Sequence, residues 1–205
     1  MTRTILGILI VILSITFTFN LAHADTSTDS NRTRVDRHWI GSSLFLLGNF
    51  ASGDSPYFFQ LNYGKEISPK NAVFVEAITW TYYEPLGTYG SSDEKYPGKI
   101  RAYGIGAGYQ RFLWKNLYIT AQATPFLQQF FDEDDKKIQN GFQLYLQSRL
   151  GYHFDFFNHR WFLEPSVAFN YWPVDTNFPD AFDEVEDGKA NYFLFEPGLH
   201  FGFKF

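Results

Sequence analysis

The chain has no cysteine among its 205 residues. That excludes a disulfide framework, a thiolate metal site and a lipid-bearing cysteine behind a leader. Past residue 24 no segment approaches the roughly 18 uninterrupted apolar residues of a spanning helix, so helical membrane crossings are excluded. Positive charge is also scarce. Seventeen Lys and Arg against 22 Asp and Glu leave a formal charge of −5, which argues against nucleic acid as a partner. Hydrophobic residues make up 45% of the chain and the mean hydropathy is −0.24, values that suit a soluble protein. They suit a membrane barrel equally well, because only alternate residues of its strands face lipid.

What is present is alternation. From Tyr192 to Phe205 one parity is wholly apolar: Phe193, Phe195, Pro197, Leu199, Phe201, Phe203 and Phe205. The other carries Tyr192, Leu194, Glu196, Gly198, His200, Gly202 and Lys204. A period of two with one greasy face is a strand between two solvents. Five phenylalanines on one side would invite aggregation in water but are the expected surface against lipid.

The beginning of the chain agrees. A basic start at Arg3, an apolar run from Ile5 to Phe19 and Ala22-His23-Ala24 match a signal peptide over 1–24. A polar stretch over 25–37 reads as a flexible arm, and its Asn31-Arg32-Thr33 sequon carries no weight. The domain to be explained is 38–205.

Eight strands are expected: Trp39–Phe50, Tyr57–Ile67, Ala72–Tyr83, Ile100–Phe112, Leu117–Gln128, Gly141–Phe156, Trp161–Trp172 and Tyr192–Phe205. Their connections alternate, with tight turns at 68–71, 113–116 and 157–160 and mostly longer, charged ones at 51–56, 84–99, 129–140 and 173–191. Short periplasmic turns, longer outer loops and an even strand count describe an antiparallel up-and-down transmembrane β-barrel. In the third strand, placing Glu76 in the lumen leaves Val73, Val75, Ala77 and Thr79 facing lipid, which avoids a costly carboxylate in hydrocarbon. All five tryptophans fall near strand ends, Trp39, Trp114 and Trp161 on the periplasmic side and Trp80 and Trp172 on the outer side, as an aromatic girdle would have them. An apolar-apolar-Glu-Pro pattern recurs at Glu164-Pro165 and Glu196-Pro197. Proline removes a ladder donor, so a bulge or break is expected near each.

The lumen parity collects Glu76, Arg149, His153, Glu164, Glu196 and His200. Such groups could do acid–base chemistry, but a barrel of eight strands is filled by its own side chains. A structural charge network is therefore expected, with Arg149 compensating one of the glutamates. No catalytic residue, cofactor site or metal site is assigned. The acidic run Asp183-Glu184-Val185-Glu186-Asp187-Gly188 lacks calcium-loop ligands at Val185 and Leu194 and reads as a solvated surface, like Asp175 and Asp180 beside it.

The layout and the strand ending in Phe201, Phe203 and Phe205 resemble the small OmpA-, OmpX- and OmpW-like outer-membrane barrels of Gram-negative bacteria. The resemblance implies that these three phenylalanines act as the signal to the barrel assembly machinery. It also implies outer-membrane lipids and lipopolysaccharide as surroundings, and a structural or surface-interaction role. A narrow, porin-like channel for small or apolar solutes is the alternative it allows, and a lipid-modifying enzyme the second. Barrel lipid A deacylases use a His-x-Ser pair, whereas His153 is followed by Phe154-Asp155 and His200 by Phe201-Gly202. Barrel palmitoyltransferases use loop-borne His, Asp and Ser, whereas the single loop histidine expected, His159, lies in a periplasmic turn.

Overall fold

A computed structural model describes residues 37–50, 56–87 and 95–205. The expected leader, its sequon-bearing arm up to residue 36 and parts of two outer loops lie outside the described residues. The described chain forms β1 (His38–Ser43), a 3-10 helix (Leu44–Phe50), β2 (Phe59–Ser68), β3 (Asn71–Tyr82), β4 (Lys99–Trp114) and β5 (Leu117–Phe131). There follow β6 (Lys137–Tyr152), β7 (Phe154–Phe156), β8 (Trp161–Thr176), helix α1 (Asp180–Glu186) and β9 (Tyr192–Lys204). Every strand pairs antiparallel with its neighbour, and β9 returns to β1. The seam is fastened by two backbone bonds, His38 N–H to Phe205 O at 3.1 Å and Phe205 N–H to His38 O at 2.9 Å.

β7 continues β6 below an interruption at His153, so nine segments make eight staves. The interruption faces Pro165, with Gly151 opposite Ser166 above it and Phe154 opposite Leu163 below it. Pro165 has no N–H to give the ladder, and the partner strand loses its regular pairing there. The result is an all-β, eight-stranded antiparallel up-and-down barrel.

Its exterior is apolar along every stave. Ile40, Leu61, Val75, Ile105, Ile119, Leu127, Phe142, Leu150 and Val167 are all exposed, Ile105 at 75%. Polar or small residues of the opposite parity are buried inside, and Glu76 faces inward at 3% exposure while Val73, Val75 and Ala77 face out. An apolar outer band with a polar interior is the surface of a transmembrane barrel. Among the described residues no helix is long and apolar enough to cross a membrane.

Several sequence expectations are corrected. β1 stops at Ser43, and Leu44–Phe50 winds into a 3-10 helix instead of continuing the strand. Leu44, Phe45, Leu46 and Leu47 are consecutive apolar residues without period two, so no strand parity serves them. Asn49 closes the helix by imitating a ladder: its Nδ2 donates to Phe58 O and its Oδ1 accepts from Phe58 N, both at 2.6 Å. The expected loop at 129–140 is mostly strand, leaving a tight turn at 132–136.

The expected irregularity before Pro197 is a bulge at Phe195, which carries a φ of +65°. It reverses the parity above it. Phe193 turns inward opposite Asn170, while Tyr192 and Leu194 face out. The expectation of lipid-facing Phe193 and lumen-facing Tyr192 and Leu194 is therefore overturned by one inserted residue.

Candidate functional site: a lumen in three tiers

The barrel interior is stacked in three tiers. The outermost is aromatic. Tyr82, Tyr96, Phe126, Phe130, Tyr145, Trp172 and Phe182 form one buried cluster with Leu86 and Ile100. Trp172 stacks on Tyr145 at 6.1 Å, and Tyr96 on Phe182 at 5.1 Å. Helix α1 delivers Phe182, which is fully buried, with Phe178 and Val185 packed beside it. The acidic loop is thus more than a solvated surface. Spacing along α1 puts Phe182 and Val185 on the face toward the mouth, and Glu186 accepts a hydrogen bond from the Tyr96 hydroxyl. Asp175, also read as solvated, accepts from Gln143 Nε2 at 2.6 Å. Burial holds the Tyr96 hydroxyl far above its ordinary range, so it remains a donor. Glu186 is raised from 4.5, first by burial, against the Tyr96 bond and Lys189, which lower it, and with Asp183 adding to the rise.

This tier also corrects the girdle expectation. Trp80 stacks on Phe126 and Trp172 is only 6% exposed, so both point into the barrel. Trp39 does likewise at the other end, packed against Phe74 and Phe162 and lying over Gly64. Trp114 and Trp161 stand outside, 67% and 48% exposed. Tryptophan near a strand end has two faces to choose from, and where glycine or small residues open the lumen the ring fills it.

The innermost tier is ionic. Glu164 accepts from His153 Nδ1 at 2.7 Å and from Gln110 Nε2 at 3.0 Å. His153 Nε2 lies 2.8 Å from Lys204 Nζ and 3.1 Å from Asp155 Oδ1. Lys204 donates to Asp155 at 2.8 Å and approaches Glu66 at 3.7 Å. Phe112 and Phe162 pack on the His153 ring. Lys204 and Asp155 complete this network, yet neither was assigned to it from sequence. Lys204 already stood on the lumen parity, which was the available signal. Asp155 shares the parity of His153 two residues before it, so the same signal was available there.

Between these tiers lies the polar middle. Glu76 accepts from Gln60 Nε2, from Gln122 Nε2 at 2.6 Å and from Thr124 Oγ1 at 3.2 Å. Glu196 accepts from Asn170 Nδ2, whose Oδ1 accepts from Gln147 Nε2 at 2.9 Å. Arg149 NH1 donates to His200 Nε2 at 2.5 Å, and its Nε reaches Thr120 Oγ1 at 3.5 Å. The expected pairing of Arg149 with Glu76, Glu164 or Glu196 is not made. Among the described residues no carboxylate forms an ion pair with it. Cross-strand register explains this: Arg149 sits opposite Ala168 and Thr120, while Glu164 lies across from His153. The six expected lumen residues therefore divide, with Glu164 and His153 below and Glu76, Arg149, Glu196 and His200 above.

The middle tier encloses a cavity of about 90 Å³. Gln60, Glu76, Gln122, Arg149, Glu196 and His200 give it a polar floor, and Phe45, Phe58, Trp80, Phe126 and Tyr145 give it aromatic walls. Its lining also includes Ser43, Pro197 and Gly198. Above His200, β9 has no strand partner on the β1 side among the described residues, and the 3-10 helix lies there instead.

Phe201 and Phe203 pair with Ser42 and Ile40 across the seam, and Phe203 contacts Trp161 and Phe205. Among the described residues no three His, Asp or Glu side chains converge as for a metal ion.

No family model matches the sequence, and no curated protein matches it either. Among solved structures the chain is similar to Neisserial surface protein A, with 13% identity and a TM-score of 0.44. The similarity covers 83% of this chain and 93% of that one.

Proposed function

We propose that this protein is an integral β-barrel of a Gram-negative outer membrane, without enzymatic activity, whose role is structural and surface-directed. The observation that carries this reading is a lumen packed with side chains near both ends inside an apolar exterior. The outer seal is the aromatic cap under α1, and the inner seal is the ring of Trp39, Phe74, Phe112 and Phe162 with the Lys204 network. A barrel of this size has little interior to spare, and here two layers of rings occupy it. Its partners are then lipids and lipopolysaccharide around the band, the barrel assembly machinery during insertion, and whatever meets the outer loops. A porin-like channel would need a continuous wet path, and the two seals oppose one.

The test is reconstitution into planar bilayers together with fractionation of cells. The expected result is heat-modifiable protein in the outer-membrane fraction that gives no steady unit conductance. Reproducible single-channel currents from the unaltered protein would replace this reading with the solute channel.

A further inference from the structure

We propose that the mid-barrel cavity is a binding site for a small alkylammonium cation, reached through the side of the barrel beside the 3-10 helix. Four observations converge on this ligand class. The first is charge. Glu76 and Glu196 line the cavity with a single guanidinium, Arg149, which leaves a formal charge of −1. Arg149 is directed at His200 and Thr120, not at either carboxylate. A second anion would meet two carboxylates here, whereas a cation would balance the floor.

The second observation is an acceptor without a donor. Gln122 is 9% exposed, and its Oε1 has no hydrogen-bond partner among the described residues. Its amide cannot be turned to correct this. Nε2 donates to Glu76 and to Thr124, and a flipped amide would set its oxygen against the carboxylate. A buried acceptor left unmatched is costly, and a ligand N–H supplies what is missing, while the unmatched nitrogens of the same lining, Trp80 Nε1 and His200 Nδ1, are left to donate to water. Glu196 offers a second acceptor, since Asn170 bonds to only its Oε2.

The third observation is the wall. Phe45, Phe58, Trp80 and Tyr145 line the same space, and aromatic rings attract an ammonium group most strongly when it is desolvated. The fourth is access. β1 ends at Ser43, the outer half of β9 has no strand on that side, and both Phe45 and Pro197 border the cavity and this gap. An alkyl group can lie there against apolar side chains while the ammonium sits at the floor. Water alone could fill the cavity, and the experiment separates that case.

The probe is n-butylammonium, titrated into the full protein in an uncharged maltoside micelle and followed by calorimetry and tryptophan fluorescence. Butanol and butyrate serve as neutral and anionic counterparts of the same length. Saturable binding of the ammonium is expected, about tenfold or more tighter than butanol, the scale of one desolvated charge contact, with no binding of butyrate. Glu196→Gln keeps the shape and the neighbouring Asn170 and should weaken the ammonium by a similar factor. Asp187→Asn, on the outer loop, should leave it unchanged. Heat-modifiable migration establishes that each variant is folded. The selectivity of the unaltered protein stands as a test even if Glu196→Gln fails to assemble. Absence of saturation, equal binding of butanol or butyrate, or a folded Glu196→Gln protein that binds normally would overturn the proposal.

Discussion

Arg149 and Lys204 are both buried cations of the lumen, and their different partners predict different costs. Lys204 holds the Asp155 carboxylate and stands by Glu66. Lys204→Ala would leave a largely buried carboxylate short of its counter-charge, so a loss on the order of 3–5 kcal/mol is expected in a urea folding titration. Arg149 satisfies neutral groups, His200 and Thr120. Arg149→Ala should cost only about 1–3 kcal/mol, the scale of buried polar atoms left unmade. An equal or reversed order would mean that Arg149, not Lys204, anchors the network. Gly64→Ala belongs to the same scale. A Cβ there would stand 2.1 Å from the Trp39 ring, and a loss of about 1–3 kcal/mol is expected from overpacking. Much at this scale was legible in the sequence. Parity placed Glu76, Glu164, Glu196, Arg149, His153 and His200 in the lumen. It could not say which of them meet, because a partner depends on register between strands, and period two carries no register. Nor could it say which way a tryptophan turns, since Trp39 and Trp161 both stand near periplasmic strand ends yet face opposite sides.

At the scale of the element, alternation was a faithful guide until something interrupted it. β5 keeps one parity throughout and β4 keeps it as far as Leu113, and Ala121 lies outside while Gln122 lies inside. Ala121→Arg should therefore cost about 2–4 kcal/mol near the midplane in the same titration. Gln122→Arg, directed at the carboxylates of the middle tier, should be milder, and the opposite order would reverse the assigned faces. β9 is where alternation is interrupted. Its run of aromatics reads as one face, yet the bulge at Phe195 divides it in two. Helix α1 was hidden for a different reason. Its seven residues read as an acidic surface because five of them are acidic or small, and one buried and one partly buried apolar side chain make a weak signal. Its hold on the mouth should depend on pH. Glu186 is raised in the folded lid, so the folded state keeps the proton at pH values where the unfolded segment has lost it. The lid is then most stable below the ordinary carboxylate range and loosens as pH rises through and above it. The groups facing Glu186 are Tyr96, Lys189 and Asp183, with Asp175 and Tyr82 nearby around Tyr96. Limited proteolysis within 177–191 should accelerate as pH rises above the ordinary carboxylate range. Glu186→Gln should remove that difference, and an unchanged pH response in the variant would assign it to another group.

For the whole molecule, the decisive property is that the two seals have different chemistry and share no side chain. The outer cap gathers rings from α1, the neighbouring loop and the outer ends of β3, β5, β6 and β8, whereas the inner tier draws on other side chains of β1, β3, β4, β8 and β9. The ladder that closes the barrel runs through neither, since it is made of backbone pairs from β1 around to β9. Loss of the cap should therefore loosen the lid without opening the wall. Phe182→Ala removes a fully buried ring, and a cost of roughly 3–5 kcal/mol is expected at the mouth. A protein carrying Phe178→Ala, Phe182→Ala and Val185→Ala together should still migrate as a heat-modifiable barrel. It should also remain silent in planar bilayers, because an ion passing the mouth still meets Trp39, Phe74 and Phe162 below the middle tier. Water would reach the cavity from above, so quenching of tryptophan fluorescence by acrylamide should rise while conductance does not. Steady currents from the lid variant alone would mean that the inner tier is no barrier. The structural reading of the lumen would then give way to a channel gated by a single lid.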